Sequence, residues 1–237
     1  AVMVNEEDHL RIQAMRSGFA IEDTWRFIDA VDDRIESRLD YAFSTKLGYL
    51  TACATNVGCG LRVSVMLHLP GLKLTGEIEK VRRAASKMNL AVRGFYGEGS
   101  EAVGDFFQLS NQTTLGRSER EIIDDLEGQI VPQVIEYERQ ARDAMLRKRR
   151  LTLEDRVHRA VATLGSARLL SADEALQLLS LTRLGILLGT LEGMDISVVH
   201  RLILLCQPAH LQQAAGREID QAERRILRAE LVRKALS

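Results

Sequence analysis

An α+β domain followed by an all-helical module is the fold this sequence predicts, and three observations predict it. Strand-like and helix-like patterns interleave through residues 1–116. Strand patterns then stop, and residues 117–237 keep only the three- and four-residue apolar spacing of helices. Gly165, Gly189, Gly193 and Gly216 break that second half at helix-length intervals, as helix ends require.

The elements follow in order. Val2-Met-Val4 reads as the tail of a strand, so the chain is expected to be a piece of something longer. Ile21 to Leu39 is a helix, with Trp25, Ile28, Val31 and Ile35 on one face. Leu61 to Leu69 is rich in alternating and β-branched residues and reads as a strand, with Pro70-Gly71 as its stop. A helix is expected over Thr75 to Lys87, and strands over Leu90 to Tyr96 and Asp105 to Ser110. Hairpin-length connections among these favour a mixed sheet over a strict βαβ repeat. Ser118 with Glu121 three residues later is a capping box, opening a long helix to Arg149. Further helices are expected at Leu153–Leu164, Ala172–Leu188, Ile196–Cys206 and Ile219–Ala235. The basic run Arg147-Lys-Arg-Arg150 is a solvated helix end and marks a division into domains 1–150 and 151–237.

Composition excludes several classes. The chain has 237 residues with 32 basic and 33 acidic side chains, a net charge of −1, so bulk attraction to nucleic acid or to a membrane surface is absent. No apolar run approaches the ~20 residues that span a bilayer, and no export signal is expected. Three cysteines make an odd number in a long chain, which suits a reducing cytoplasm rather than a disulfide framework. The five histidines lack zinc-ligand spacing, so no metal site is expected from the protein alone.

Three segments carry chemistry. Val4-Asn-Glu-Glu-Asp-His-Leu-Arg11 sets three consecutive carboxylates at a strand end, where they repel one another unless a cation joins them. Cys53-Ala-Thr-Asn-Val-Gly-Cys-Gly-Leu-Arg62 is a small-residue loop entering a strand, and Arg93-Gly-Phe-Tyr-Gly-Glu-Gly-Ser-Glu101 is a strand running into a Gly-rich loop. Glycines let backbone amides approach a ligand, Arg offers forked donors to phosphate, and Glu holds a cation or takes a proton.

In this order the three segments resemble the ATP:guanidino phosphotransferases, the arginine and creatine kinases. Asn5-Glu-Glu-Asp-His9 with Arg11 matches the family signature. Cys53 to Arg62 matches its Cys-Pro-Thr-Asn-x-Gly-x-Gly-x-Arg loop, and Arg93 to Glu98 its Arg-Gly-x-x-Gly-Glu loop. Ala54 stands for the family's Pro, Cys59 for its Thr. The remainder is similar to the bacterial protein arginine kinases, through Gln108-Leu-Ser-Asn-Gln112, Leu153-Glu-Asp-Arg156, Arg183-Leu-Gly-Ile-Leu-Leu-Gly189 and Gln207-Pro-Ala-His-Leu-Gln-Gln213. The resemblance implies a phosphagen-kinase-like domain with a mostly antiparallel sheet flanked by helices, then a helical C-terminal module. The family's small N-terminal helical domain and its Ser-Thr-Arg-x-Arg string have no match here, so these residues alone are expected to turn over little.

The implied reaction is transfer of the ATP γ-phosphoryl group to arginine side chains of proteins. Arg11, Arg62 and Arg93 would clamp phosphates. Val63, Ser64, Val65 and Met66, with Gly94, Phe95, Tyr96, Gly97 and Glu98, would line the ATP site. Mg²⁺ would be held mainly by the nucleotide. A guanidinium must lose a proton as its nitrogen attacks, and two carboxylates can aim it and accept that proton. Glu7 and Glu98 are the matching catalytic pair, with Glu6 the rival to Glu7 because neighbours on a strand face opposite ways. Cys53 would orient the guanidinium as a thiolate. Arg224, Arg225, Arg228 and Ala229 match an allosteric phosphoarginine motif whose Asp is Arg225 here, with Arg224 and Arg228 as a fork four residues apart. Implied partners are proteins with exposed or unfolded arginines, Clp unfoldase-protease components, and a second copy through the C-terminal module. Two other readings stay open: a non-catalytic module binding phosphoarginine or nucleotide, and a kinase of a free guanidino compound.

Overall fold

The computed structural model describes residues 1–95 and 103–236. Seven short strands and nine α-helices are assigned among them. In chain order these are β1 (Val2–Val4), β2 (Leu10–Ile12), α1 (Ile21–Glu36), β3 (Phe43–Ser44), β4 (Gly48–Tyr49), β5 (Ser64–His68), α2 (Pro70–Thr75), α3 (Ile78–Lys87), β6 (Leu90–Arg93) and β7 (Phe106–Asn111). Then follow α4 (Glu119–Asp124), α5 (Val131–Ser166), α6 (Ala172–Leu187), α7 (Ile196–Leu205), α8 (Pro208–Ala215) and α9 (Gln221–Leu236). Strands β1 and β2 form one antiparallel hairpin, β3 and β4 another, and the third sheet has the order β5-β7-β6. The class is therefore α+β with a helical C-terminal part, as the patterning predicts.

The chain divides into two compact units, each built from separate stretches. The first comprises Ala1–Leu67, Glu79–Val92 and Gln108–Glu136. Its buried residues include Val81, Ala85, Leu90, Leu109, Ile122, Ile123 and Leu126. The capping box forms: the Ser118 hydroxyl accepts from the Glu121 N–H, and the Ser118 N–H donates to the Glu121 carboxylate at 2.8 Å. Arg120 then ties α4 to α1 through Glu22 at 2.6 Å.

The second unit comprises His68–Ile78, Arg93–Phe107 and Tyr137–Ser237. One apolar cluster gathers Leu164, Leu170, Leu176, Leu179, Val199, Leu202 and Val232, with Phe95, Val103 and Phe106 against it. A smaller one joins Met145, Leu153, Val157 and Leu184.

Three elements differ from expectation for identifiable reasons. Pro70-Gly71 starts a helix rather than ending the strand. Proline is at home in the first helical turn, and the two N–H groups that follow, of Gly71 and Leu72, each donate at 2.9 Å to the buried carboxylate of Glu138. The helix expected over 75–87 is α3 and starts later, at Ile78, because Thr75 ends α2 and Gly76 behind it is left-handed at φ 77°. The helices expected to either side of residue 150 form one element, α5, broken only by the non-helical Arg149.

Candidate functional site

In the first unit, the hairpin tip between β1 and β2 and the loop after β4 are joined by one carboxylate. Asn5 takes the left-handed conformation at φ 54° and its N–H bonds the His9 carbonyl at 3.0 Å, which closes the tip. Asp8 points back from it. Its Oδ1 accepts the Cys53 backbone N–H at 2.8 Å and its Oδ2 the Asn56 side-chain amide at 2.6 Å. The Cys53 N–H, with help from Asn56, holds the Asp8 carboxyl below its ordinary range, against a smaller opposing effect of burial.

The three acids have separate surroundings. Glu6 pairs with Arg11 at 2.8 Å, both exposed. Glu7 is exposed, with no side-chain partner among the described residues. Asp8 is half-buried support.

Cys53 is half-buried, and its Sγ lies 3.0 Å from the Thr55 hydroxyl. Its carbonyl receives the Thr51 hydroxyl at 2.6 Å and the Asn56 N–H at 3.0 Å, a one-turn 3₁₀ loop over Ala54–Asn56. Gly58 at φ 128° closes that loop. A side chain there would collide with the Thr114 backbone. The Asn111 side chain then fixes entry into β5, accepting from the Val63 N–H at 2.8 Å and donating to the Leu61 carbonyl at 3.0 Å.

The stretch from Arg62 to Met66 alternates. Arg62, Ser64 and Met66 are exposed, while Val63 and Val65 are half-buried. Two-residue periodicity therefore separates the expected ATP-lining residues into two faces, and only Arg62, Ser64 and Met66 share the open one.

In the second unit, Arg93 ends β6, half-buried, and Gly94 is buried. Phe95 stands edge-on to Phe106 with ring centroids 5.6 Å apart. Tyr96, Gly97 and Glu98 lie outside the described residues.

The C-terminal motif is arranged differently from the expected fork. Arg228 is only 2% exposed, and its guanidinium is committed to carbonyls: Nε donates to Cys206 at 2.7 Å and Nη1 to Leu170 at 2.8 Å and Arg224 at 3.3 Å. It fastens the end of α7 and the turn before α6 onto α9. Arg224 is half-buried and donates to the Ile219 carbonyl at 3.1 Å, whereas Arg225 is exposed. Ala229 is fully buried, so a small residue is required there for packing. Glu223 pairs with Arg217. Cys206 is buried beside this motif, and burial pushes its thiol up to about 11, as befits a packing residue.

Sequence reasoning passed over Asn56, whose only signal was an amide in a tight loop, and gave Asp8 no definite partner. Among the described residues no group of three or more His, Cys, Asp or Glu side chains could hold a metal ion. None of their helices is long and apolar enough to cross a membrane.

Residues 1–141 match the family model described as "ATP:guanido phosphotransferase, C-terminal catalytic domain", and residues 150–237 match "Protein-arginine kinase McsB C-terminal domain". A relative from Symbiobacterium thermophilum, named protein-arginine kinase, is 51% identical over 100% of this chain and 67% of its own length. One of the same name from Halothermothrix orenii is 48% identical over 100% of this chain and 68% of its own. The chain thus spans about two thirds of these relatives. Among solved structures, a lombricine kinase is similar at TM-score 0.51 and 33% identity, over 58% of this chain and 38% of that one. The substrate-free duplicated taurocyamine kinase of Schistosoma mansoni is similar at TM-score 0.50 and 29% identity, over 59% of this chain and 18% of its own.

Proposed function

The chain belongs to the ATP:guanido phosphotransferase family, and from that premise we propose that it is the catalytic and C-terminal part of a kinase that moves the ATP γ-phosphoryl group onto arginine side chains of proteins. One observation carries the reading to these residues. The Asp8 carboxylate binds the Cys53 N–H and the Asn56 amide, so the Glu7 hairpin tip and the Cys53 thiol are parts of one rigid assembly. Phosphoryl transfer needs alignment and charge compensation more than covalent chemistry, and this assembly brings together the hairpin tip that carries Glu7 and the loop that carries the Cys53 thiol.

The proposed roles are as follows. Glu7, with Glu98, holds the acceptor guanidinium by forked hydrogen bonds and takes the proton it loses as its nitrogen bonds to phosphorus and the ADP oxygen departs. Cys53 orients the guanidinium. Arg11, Arg62 and Arg93 bind phosphate oxygens, and Ser64 and Met66 line the nucleotide on the open face of β5. Mg²⁺ is proposed to enter with ATP, held mainly by the nucleotide, and no protein step runs through it.

The match of residues 150–237 to a protein-arginine kinase module favours protein acceptors over a free guanidino compound. Proteins with exposed or unfolded arginines are the proposed substrates, in the cytoplasm. A second copy of the chain and Clp unfoldase-protease components are proposed as partners. Incubation of the full-length protein with MgATP and an unfolded protein, and separately with free arginine, tests this. Acid-labile phosphate on protein arginine is expected. Phosphorylation of free arginine alone, or of neither, refutes it.

A further inference from the structure

A chain of polar groups in the second unit runs from α6 to the base of the segment that carries Glu98. Arg183 of α6 donates from Nη1 to His68 Nδ1 at 2.6 Å and from Nε to His200 Nε2 at 3.0 Å. Arginine can only donate, so the His68 proton sits on Nε2, which faces the Ser180 hydroxyl at 2.8 Å. Having accepted there, Ser180 donates to Asp105 Oδ2 at 2.6 Å. Lys73 of α2 pairs with the other Asp105 oxygen at 2.8 Å, and the Asp105 carbonyl receives the Leu69 N–H at 2.9 Å. Every donor and acceptor in this line has one sense. Ser180 is fully buried and Asp105 is 8% exposed, where a broken link would leave unpaired polar groups and an apolar filling would carry no direction.

The line ends on unusual backbone. Gly104 and Asp105 are consecutive left-handed residues, at φ 65° and 59°. A side chain at Gly104 would press on the Leu176 carbonyl of α6 at 3.1 Å. Phe106 lies on the His68 ring with centroids 4.7 Å apart and meets Phe95 edge-on. Both the departure of the chain at Phe95 and its return at Val103 are thereby fastened to one cluster that includes Leu176 and Leu179.

We propose that Ser180 and Arg183 of α6 are positioning residues for Arg93–Phe95 and Val103–Asp105, the stretches that flank the Glu98 loop, which they fix through His68 and Asp105. Burial, then the charges of Arg183, Arg142 and His200, hold His68 well below the ordinary imidazole range, so the ring stays a neutral, oriented donor. The other groups around it are Lys73, Glu138, which pairs with Arg142, and Asp105 beyond Ser180. The helical module so serves the catalytic segment directly. The consequence for phosphoryl transfer rests on the reading above, but the placement of the segment does not.

The test compares Ser180→Ala, Ser180→Thr and Leu211→Ala in the full-length protein. Leu211 is buried in α8, and no hydrogen bond among the described residues joins its side chain to these groups. Hydrogen exchange is read at amides of 93–95 and 103–107, together with kcat, KM for ATP and melting temperature. Ser180→Ala is expected to speed that exchange by about tenfold or more. It is expected to lower kcat by ~10-fold to ~100-fold with KM little changed, since small misplacements carry large rate penalties. Ser180→Thr, which keeps the hydroxyl, restores both. Leu211→Ala lowers the melting temperature and leaves both alone. Unchanged exchange in Ser180→Ala overturns the proposal whether or not the protein is active, as does equal exchange and kcat loss in Leu211→Ala. An inactive parent with the expected exchange pattern would refute only the functional reading.

Discussion

The Cys53 backbone N–H donates to the Asp8 carboxylate across 45 residues of sequence, at 2.8 Å. Hydrogen bonds to an ionised acceptor are among the stronger ones, ~1.5–3 kcal/mol each. Asp8→Ala removes two and is expected to lower both the melting temperature and kcat. Asp8→Asn keeps an acceptor for Cys53 and is expected to lose less. Thermal melts and steady-state rates rank the pair; wild-type kcat in Asp8→Ala would refute the rigid-assembly argument.

Glu7→Gln and Glu6→Gln should separate cleanly. Glu7 has no side-chain partner among the described residues, so its variant is expected to melt like the parent while kcat falls by ~10²–10⁴. Glu6→Gln breaks only an exposed pair with Arg11, worth ~0–1 kcal/mol, and is expected to keep most activity. The opposite order of rates would move the catalytic role to Glu6.

Cys53→Ser is expected to lower kcat sharply without unfolding the loop, because the loop's hydrogen bonds run through the Cys53 backbone. The wild type should lose activity on alkylation at Cys53. Full activity after complete alkylation would take the thiol out of the site.

Arg228→Ala is expected to destabilise the protein by ~2–4 kcal/mol, since it strands the carbonyls of Cys206 and Leu170 and leaves a buried void. Arg225→Asp, at an exposed position, should stay within ~0.5 kcal/mol of the parent. Denaturant titrations decide it, and an Arg228→Ala midpoint equal to the parent's would contradict the buried geometry.

Acid should weaken the second unit. His68 is held well below its ordinary value by burial first, and His200 is lowered for the same first reason. In the unfolded chain both take a proton near pH 6.5, while the native state resists it. The unfolded state therefore binds more protons in that window, and stability falls as pH drops below ~6.5, by up to ~1.4 kcal/mol per pH unit for His68. The contribution is complete above that pH. Melting temperatures from pH 8 to 5 should show the decline, and His68→Gln should flatten it.

Much of this was legible in the sequence. Periodicity located α1, α6, α7 and α9, because apolar residues recur at three- and four-residue steps in each. The Ser118–Glu121 box was readable because both partners lie within one turn. What escaped was long-range. Nothing local says that Pro70 begins a helix, since its cap is Glu138 on α5. Arg224 and Arg228 have the spacing of a fork, but spacing cannot reveal that Arg228 is buried among carbonyls from α7 and the turn before α6. Ser180 and Asp105 look unremarkable in sequence because 75 residues separate them.

The Glu138 cap bears on how the chain is made. Synthesis runs from the N-terminus, and domains tend to fold as they emerge. The first unit is complete in sequence at Glu136, with His68–Ile78 and Arg93–Phe107 already present but their partners still unmade. Until Glu138 emerges, the N–H groups of Gly71 and Leu72 have no acceptor from α5. An intermediate at that length therefore carries an uncapped helical turn that belongs to the second unit. Neither unit can be excised as one continuous stretch, and a fragment cut after residue 136 would carry two orphaned inserts rather than an independent domain.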